Sequence, residues 1–123
     1  MKLKNILIVV EDVECSRKFY HDLFGLHVVK DFGSNVILTE GLVLQERAAW
    51  EELIGRAFVR GDGDAELYFE ESDLDSFLEK TEAYPDPVHY LNRLMNGQDG
   101  EENRVVRLYD PDGHVIEVKE TGH

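Results

Sequence analysis

A strand, an acidic cap, an amphipathic helix and three more short strands follow one another in this chain, and then the same order starts again. Asn5, Ile6, Leu7, Ile8, Val9, Val10, Glu11 and Asp12 superpose on Glu66, Leu67, Tyr68, Phe69, Glu70, Glu71, Ser72 and Asp73, 61 residues further on. A repeated supersecondary unit constrains the fold more than composition does. Each unit covers one face of its sheet with its own helix and leaves the other face open. Two such units can close a cavity between their open faces. The expectation is an α+β fold of two βαβββ modules, with mixed, curved sheets enclosing a cavity. On this reading residues 1–123 are a single domain, module one over 1–60 and module two over 61–123. The polar, Gly-rich run Arg60 to Asp64 marks the boundary.

In module one, Leu3 to Val10 is rich in β-branched residues and reads as a strand. Asp12 caps a helix over Val13 to Phe24, in which Cys15, Phe19 and Leu23 step by four, as do Ser16, Tyr20 and Phe24, and Gly25 ends it. That spacing places Cys15, the sole cysteine, in the core as a small apolar residue, and a lone cysteine cannot form an internal disulfide. Strands are predicted over Leu26 to Phe32, Asn35 to Thr39 and Leu42 to Arg47. Ala48 to Gly55 follows as a short helical connector with Trp50, Leu53 and Ile54 on one side. In module two, Ala65 to Glu71 is a strand, a helix capped by Ser72 or Asp73 runs to about Ala83, and Val88 to Leu94 is a strand. Asn96 to Asn103 is a polar loop.

The closing hairpin carries the chemistry of interest. Val105 to Tyr109 and His114 to Lys119 flank Asp110-Pro111-Asp112-Gly113, a connection that favours a tight antiparallel turn. Alternation sets Val115, Glu117 and Lys119 on one face and Ile116 and Val118 on the other. A carboxylate in the middle of a covered strand needs a partner: a metal, an arginine or a shared proton. Arg107, on the face of Val105 and Tyr109, is one such partner. Period two also puts Glu66, Tyr68 and Glu70 together on their strand.

The formal net charge is −13, from 13 basic and 26 acidic residues, with no basic stripe, which argues against nucleic acid as a partner. No apolar run is long enough to span a membrane. The N-terminal apolar run is short and followed by acids, unlike a signal peptide, so the expected location is cytoplasmic.

Three segments are similar to one known family. They are the entry from Ile6 through Asp12 and the helix to Gly25-Leu26, the run from Leu67 to Lys80, and the exit Val105 to Val118 with its Asp110-Pro111-Asp112-Gly113-His114 turn. Together they resemble the vicinal oxygen chelate superfamily, which groups glyoxalase I, bleomycin-resistance proteins, fosfomycin-resistance proteins and extradiol dioxygenases. The resemblance implies paired βαβββ modules. In metal-binding members the ligands sit on the first and last strands of each module. Carried over, those positions are Asn5, Gln45, Glu66 and Glu117. Asn5 stands where a His is usual, and Gln45 has Leu44 and Glu46 as neighbours in a loosely aligned strand. An all-oxygen set suits Mg or Mn better than Zn or Ni.

Two functions follow from the resemblance. One is a glyoxalase-like lyase or isomerase. Its divalent metal (Mn, Mg, Ni or Zn) would be held by Glu66 and Glu117, and a carboxylate of the same pair would move the proton. A dioxygenase is disfavoured, because no pair of histidines occupies the ligand positions. The other is a metal-free protein that binds or sequesters a small molecule, a drug or toxin, in the cavity. Tyr68, Arg107 and Tyr109, with Arg47 at the rim, would line that cavity and orient an anionic or zwitterionic ligand. The resemblance further implies a homodimer.

Overall fold

The structure, a computed structural model, describes residues 1–96 and 103–122. It divides into two units, Met1–Gly61 and Asp62–His123, parted inside the Gly-rich link. Among the described residues the fold is α+β, with three α-helices and two four-stranded mixed sheets of the same strand order.

In unit one, β1 (Ile6–Val10) pairs in parallel with β4 (Leu42–Glu46). The antiparallel strands β3 (Asn35–Leu38) and β2 (Val28–Asp31) complete the order β1-β4-β3-β2. Helix α1 (Val13–Phe24) starts where the Asp12 side chain accepts from the Cys15 amide. It stops at Gly25, whose φ of 69° lets the Gly25 and Leu26 amides reach back to the carbonyls of His21 and Tyr20. Its buried stripe is Val13, Ser16, Phe19, Tyr20 and Leu23. Val10, Val36, Leu38 and Leu44 are as deeply buried. Each such side chain contributes about 1.5–3 kcal/mol by leaving water.

Unit two repeats the plan. Strand β5 (Glu66–Glu71) pairs in parallel with β8 (Val115–Glu120). β7 (Arg104–Tyr109) and β6 (Tyr90–Asn96) complete the order β5-β8-β7-β6. Helix α3 (Leu74–Ala83) is capped by Asp73, which accepts from the Ser76 amide, and buries Leu74, Phe77, Leu78 and Thr81. The Thr81 hydroxyl meets the Tyr90 hydroxyl at 2.6 Å, and Arg104 binds Asp75 of the helix at 3.0 Å. These contacts put Tyr90, Arg104 and, by alternation, Val106, Leu108, Ile116 and Val118 on the helix-covered face.

Several expectations need correction. Cys15 is exposed, and Ser16 is buried in its place. The stripe keeps Phe19 and Leu23 of the step through Cys15, but takes Val13, Ser16 and Tyr20 beside them and leaves Cys15 outside. The first strand begins at Ile6 rather than Leu3, and Leu3 is exposed. Arg47 opens helix α2 (Arg47–Ile54) instead of closing β4, held there by Glu11 at 2.9 Å and by Glu51 one turn on. Strand β6 begins and ends two residues later than predicted. Residues 97–102 of the predicted loop lie outside the described residues.

Candidate functional site

The open face of the second sheet is built by period two on three adjacent strands. Strand β5 contributes Glu66, Tyr68 and Glu70, β8 contributes Val115, Glu117 and Lys119, and β7 contributes Val105, Arg107 and Tyr109. Register fixes the neighbours: Tyr68 lies opposite Glu117 on one side, and Arg107 lies opposite it on the other. Ile116 and Val118 are anchored in the core, so Glu117 is committed to the open face.

At the centre of this face Arg107 holds two carboxylates. Its Nη2 lies 2.6 Å from Glu117 Oε1 in an ion pair, and its Nε lies 3.7 Å from Glu66 Oε2. Glu117 and Arg107 are 15% and 23% exposed and Glu66 is 40%, so the inner pair is the less hydrated. The Tyr68 hydroxyl donates to Glu70 Oε2 at 3.2 Å. The Tyr68 phenol is held above its ordinary range, first by partial burial and then by the Glu70 charge and hydrogen bond. The structure thus brings together five of the eight residues singled out by sequence: Glu66, Tyr68, Arg107, Tyr109 and Glu117. The ion-pair partner of Glu117 is Arg107.

The other three belong to unit one. Gln45 is buried; its Oε1 accepts from Asn35 Nδ2 at 2.8 Å, and its Nε2 donates to the carbonyls of Ser34 and Glu46. Asn5 lies beside Gly41, at the other end of the β1–β4 pair from Gln45, which pairs with Val9. Four strand positions separate them, about 13 Å, too far for both to ligate one ion. Arg47 ties the start of α2 to Glu11; that hydrogen bond and charge raise its pKa further.

A group that sequence reasoning passed over lies in the β7–β8 turn. One ligand atom each from Asp110, Asp112 and His114 fall within 4.8 Å of one another. The buried Asp110 carboxylate is already engaged. Its Oδ1 accepts from the Asp112 and His114 amides at 2.9 and 2.8 Å, and its Oδ2 meets His114 Nδ1 at 2.7 Å. These are the bonds of an Asx-type turn, which shapes the hairpin. The Asp-Pro-Asp-Gly-His spelling is the signal that the sequence carries for this group.

The Glyoxalase-like domain family matches residues 3–122. This chain belongs to that family. It is a member of the glyoxalase/bleomycin resistance/dioxygenase, or vicinal oxygen chelate, superfamily. The glyoxalase-like chain is similar, at 34% identity and a TM-score of 0.84, to a protein of unknown function from Agrobacterium tumefaciens str. C58, covering 99% of this chain and 95% of that one. It is similar at 25% identity and a TM-score of 0.69 to a lactoylglutathione lyase from Agrobacterium tumefaciens, covering 97% and 92%. A genomically encoded fosfomycin resistance protein from Listeria monocytogenes shares the fold at 16% identity and a TM-score of 0.74, covering 99% and 94%. No curated protein matches. Among the described residues no helix is long and apolar enough to cross a membrane.

Superfamily members generally use divalent metals. The donors on this face do not fit one. An ion bound by Glu66 and Glu117 would sit where the Arg107 guanidinium lies. Unit charges 4 Å apart at an effective dielectric constant of about 20 interact by about 4 kcal/mol, and a divalent ion would meet roughly twice that as repulsion, less any solvent screening.

Proposed function

We propose that this glyoxalase-like protein binds a small polar organic molecule without a metal, on the open face of its second sheet. The observation that carries the reading is the Arg107 guanidinium placed between two carboxylates, 2.6 Å from Glu117 and 3.7 Å from Glu66. In this arrangement the carboxylates act as hydrogen-bond acceptors, and Arg107 and Lys119 balance most of their charge. The half-exposed ring of Tyr68 offers an apolar surface between Glu66 and Glu70. A ligand with a flat apolar part and amine or hydroxyl donors satisfies that surface. Tyr109 lies on the same face two strands away on β7, opposite Val115. The protein acts as a homodimer in the cytoplasm on this reading.

A second reading is a metal-dependent lyase or isomerase, with Glu66 and Glu117 as ligands and proton-transfer groups. The 25% likeness to a lactoylglutathione lyase favours it.

One experiment separates the two. A thermal-shift screen of small organic compounds is run on wild type, Tyr68→Ala and Glu66→Gln, beside an assay of wild type and Glu117→Gln for lactoylglutathione formation with Mn, Ni, Zn or Mg added. Binding at a hundred times Kd contributes about 2.7 kcal/mol, or a Tm rise of roughly 8–12 °C. The expected result is such a rise in wild type, diminished in both variants, with no metal-dependent turnover. Turnover that requires the metal and disappears in Glu117→Gln overturns the proposal.

A further inference from the structure

We infer that Arg107 is the resident cation of this site, and that its guanidinium is what keeps divalent metal away from Glu66 and Glu117. The inference rests on the metal-free reading and adds the residue responsible.

The geometry is one of register. Arg107 lies directly opposite Glu117 on the antiparallel β7–β8 pair. Its side chain then crosses the central strand β8 to reach Glu66 on β5. Two different nitrogens face the two carboxylates, Nη2 at 2.6 Å from Glu117 and Nε at 3.7 Å from Glu66, so one guanidinium charge is shared between them. A metal on Glu117 Oε1 would need an oxygen that already lies 2.6 Å from a guanidinium nitrogen. Lys119, two positions along the same strand and on the same face, adds a second positive charge. Tyr68 turns its hydroxyl toward Glu70. An arginine is permanently charged, so this cation stays at every pH where the protein folds.

Replacing the guanidinium should therefore uncover a two-carboxylate site for a hard ion. The Asp110 turn supplies an internal control, because ions held there would be indifferent to Glu117.

The test is Mn2+ binding to the full chain by electron paramagnetic resonance. Wild type, Arg107→Met, Arg107→Gln and Arg107→Met combined with Glu117→Gln are compared, each shown to be folded by circular dichroism. The expected result is weak, non-stoichiometric binding to wild type and binding roughly tenfold or more tighter in the Arg107 variants. The gain should vanish when Glu117→Gln is added. Stoichiometric Mn2+ in wild type that Glu117→Gln removes overturns the inference, and so does the absence of any gain in a folded Arg107 variant. If neither Arg107 variant folds, the Glu117 carboxyl carbon is followed by NMR in wild type during Mn2+ addition. A sharp signal supports the inference and a broadened one overturns it. A wild type that binds an organic ligand while Arg107→Met gains no metal defeats this inference alone. A gain in Arg107→Met with no organic ligand for wild type defeats the binding proposal alone.

Discussion

Tyr68 stands in register with Glu117 and turns its hydroxyl to Glu70, and this small fact has a measurable consequence. Partial burial and the Glu70 carboxylate both disfavour the phenolate. The folded-state pKa is raised, so the associated stability is present below the ordinary phenol value, about 10. It is lost as pH rises through the higher folded value. The absorbance difference between wild type and Tyr68→Phe near 295 nm should therefore appear above the ordinary range. A Tyr68 that ionises at or below the ordinary value would contradict the geometry. On the helix-covered face, Arg104 binds Glu120 at 2.7 Å and Asp75 at 3.0 Å, and these bonds raise its pKa further. That pair anchors the helix face, whereas Arg107 and Glu117 face the open side.

At the scale of elements, the closing hairpin is tied by Asp110 as well as by the positive φ of Gly113. One buried carboxylate oxygen serves two backbone amides that would otherwise be without an acceptor in the turn. Unsatisfied buried donors cost about 1–3 kcal/mol each. Asp110→Ala should lower Tm by roughly 5–15 °C in a scanning melt, and Ca2+ or Mg2+ should leave the wild-type Tm unchanged. A wild type that these ions stabilise, with the effect lost in Asp110→Ala, would instead make the turn a metal site. The β1–β4 pairing has its own constraint at Gly41. There φ is +82°, and a Cβ would lie 2.7 Å from the Lys4 carbonyl oxygen.

For the whole molecule, the governing quantity is a net charge of −13. Acidic side chains outnumber basic ones, so most long-range interactions among them are repulsive and oppose the compact state. Raising ionic strength from about 0.01 M to 0.15 M shortens the screening length from about 30 Å to about 8 Å. Tm should rise over that range in calorimetry. The exposed pairs, such as Arg17 with Asp31 and Arg47 with Glu11, weaken with salt but contribute little. A falling Tm would mean that ion pairs outweigh the repulsion.

The sequence by itself determined the repeated strand-helix order, the Asp12 cap, the stop at Gly25 and the sorting of Glu117 from Ile116 and Val118, while the choice of Asp73 over Ser72 as the second cap came from the structure. These are set by interactions within a few residues along the chain, which periodicity and turn chemistry express directly. Helix phase was legible only in part. Cys15 and Ser16 are both small, and only packing of the Val13, Phe19 and Tyr20 stripe decided which of the two is buried. Arg107 could be placed on the right face, but its bridge to Glu66 needed the pairing of β7 with β8 and of β8 with β5. The Asp110 carboxylate could be read as part of a turn, but not as the acceptor of two backbone amides. Those outcomes depend on cross-strand register and on which groups lose water, and both are properties of chain segments brought together only by folding.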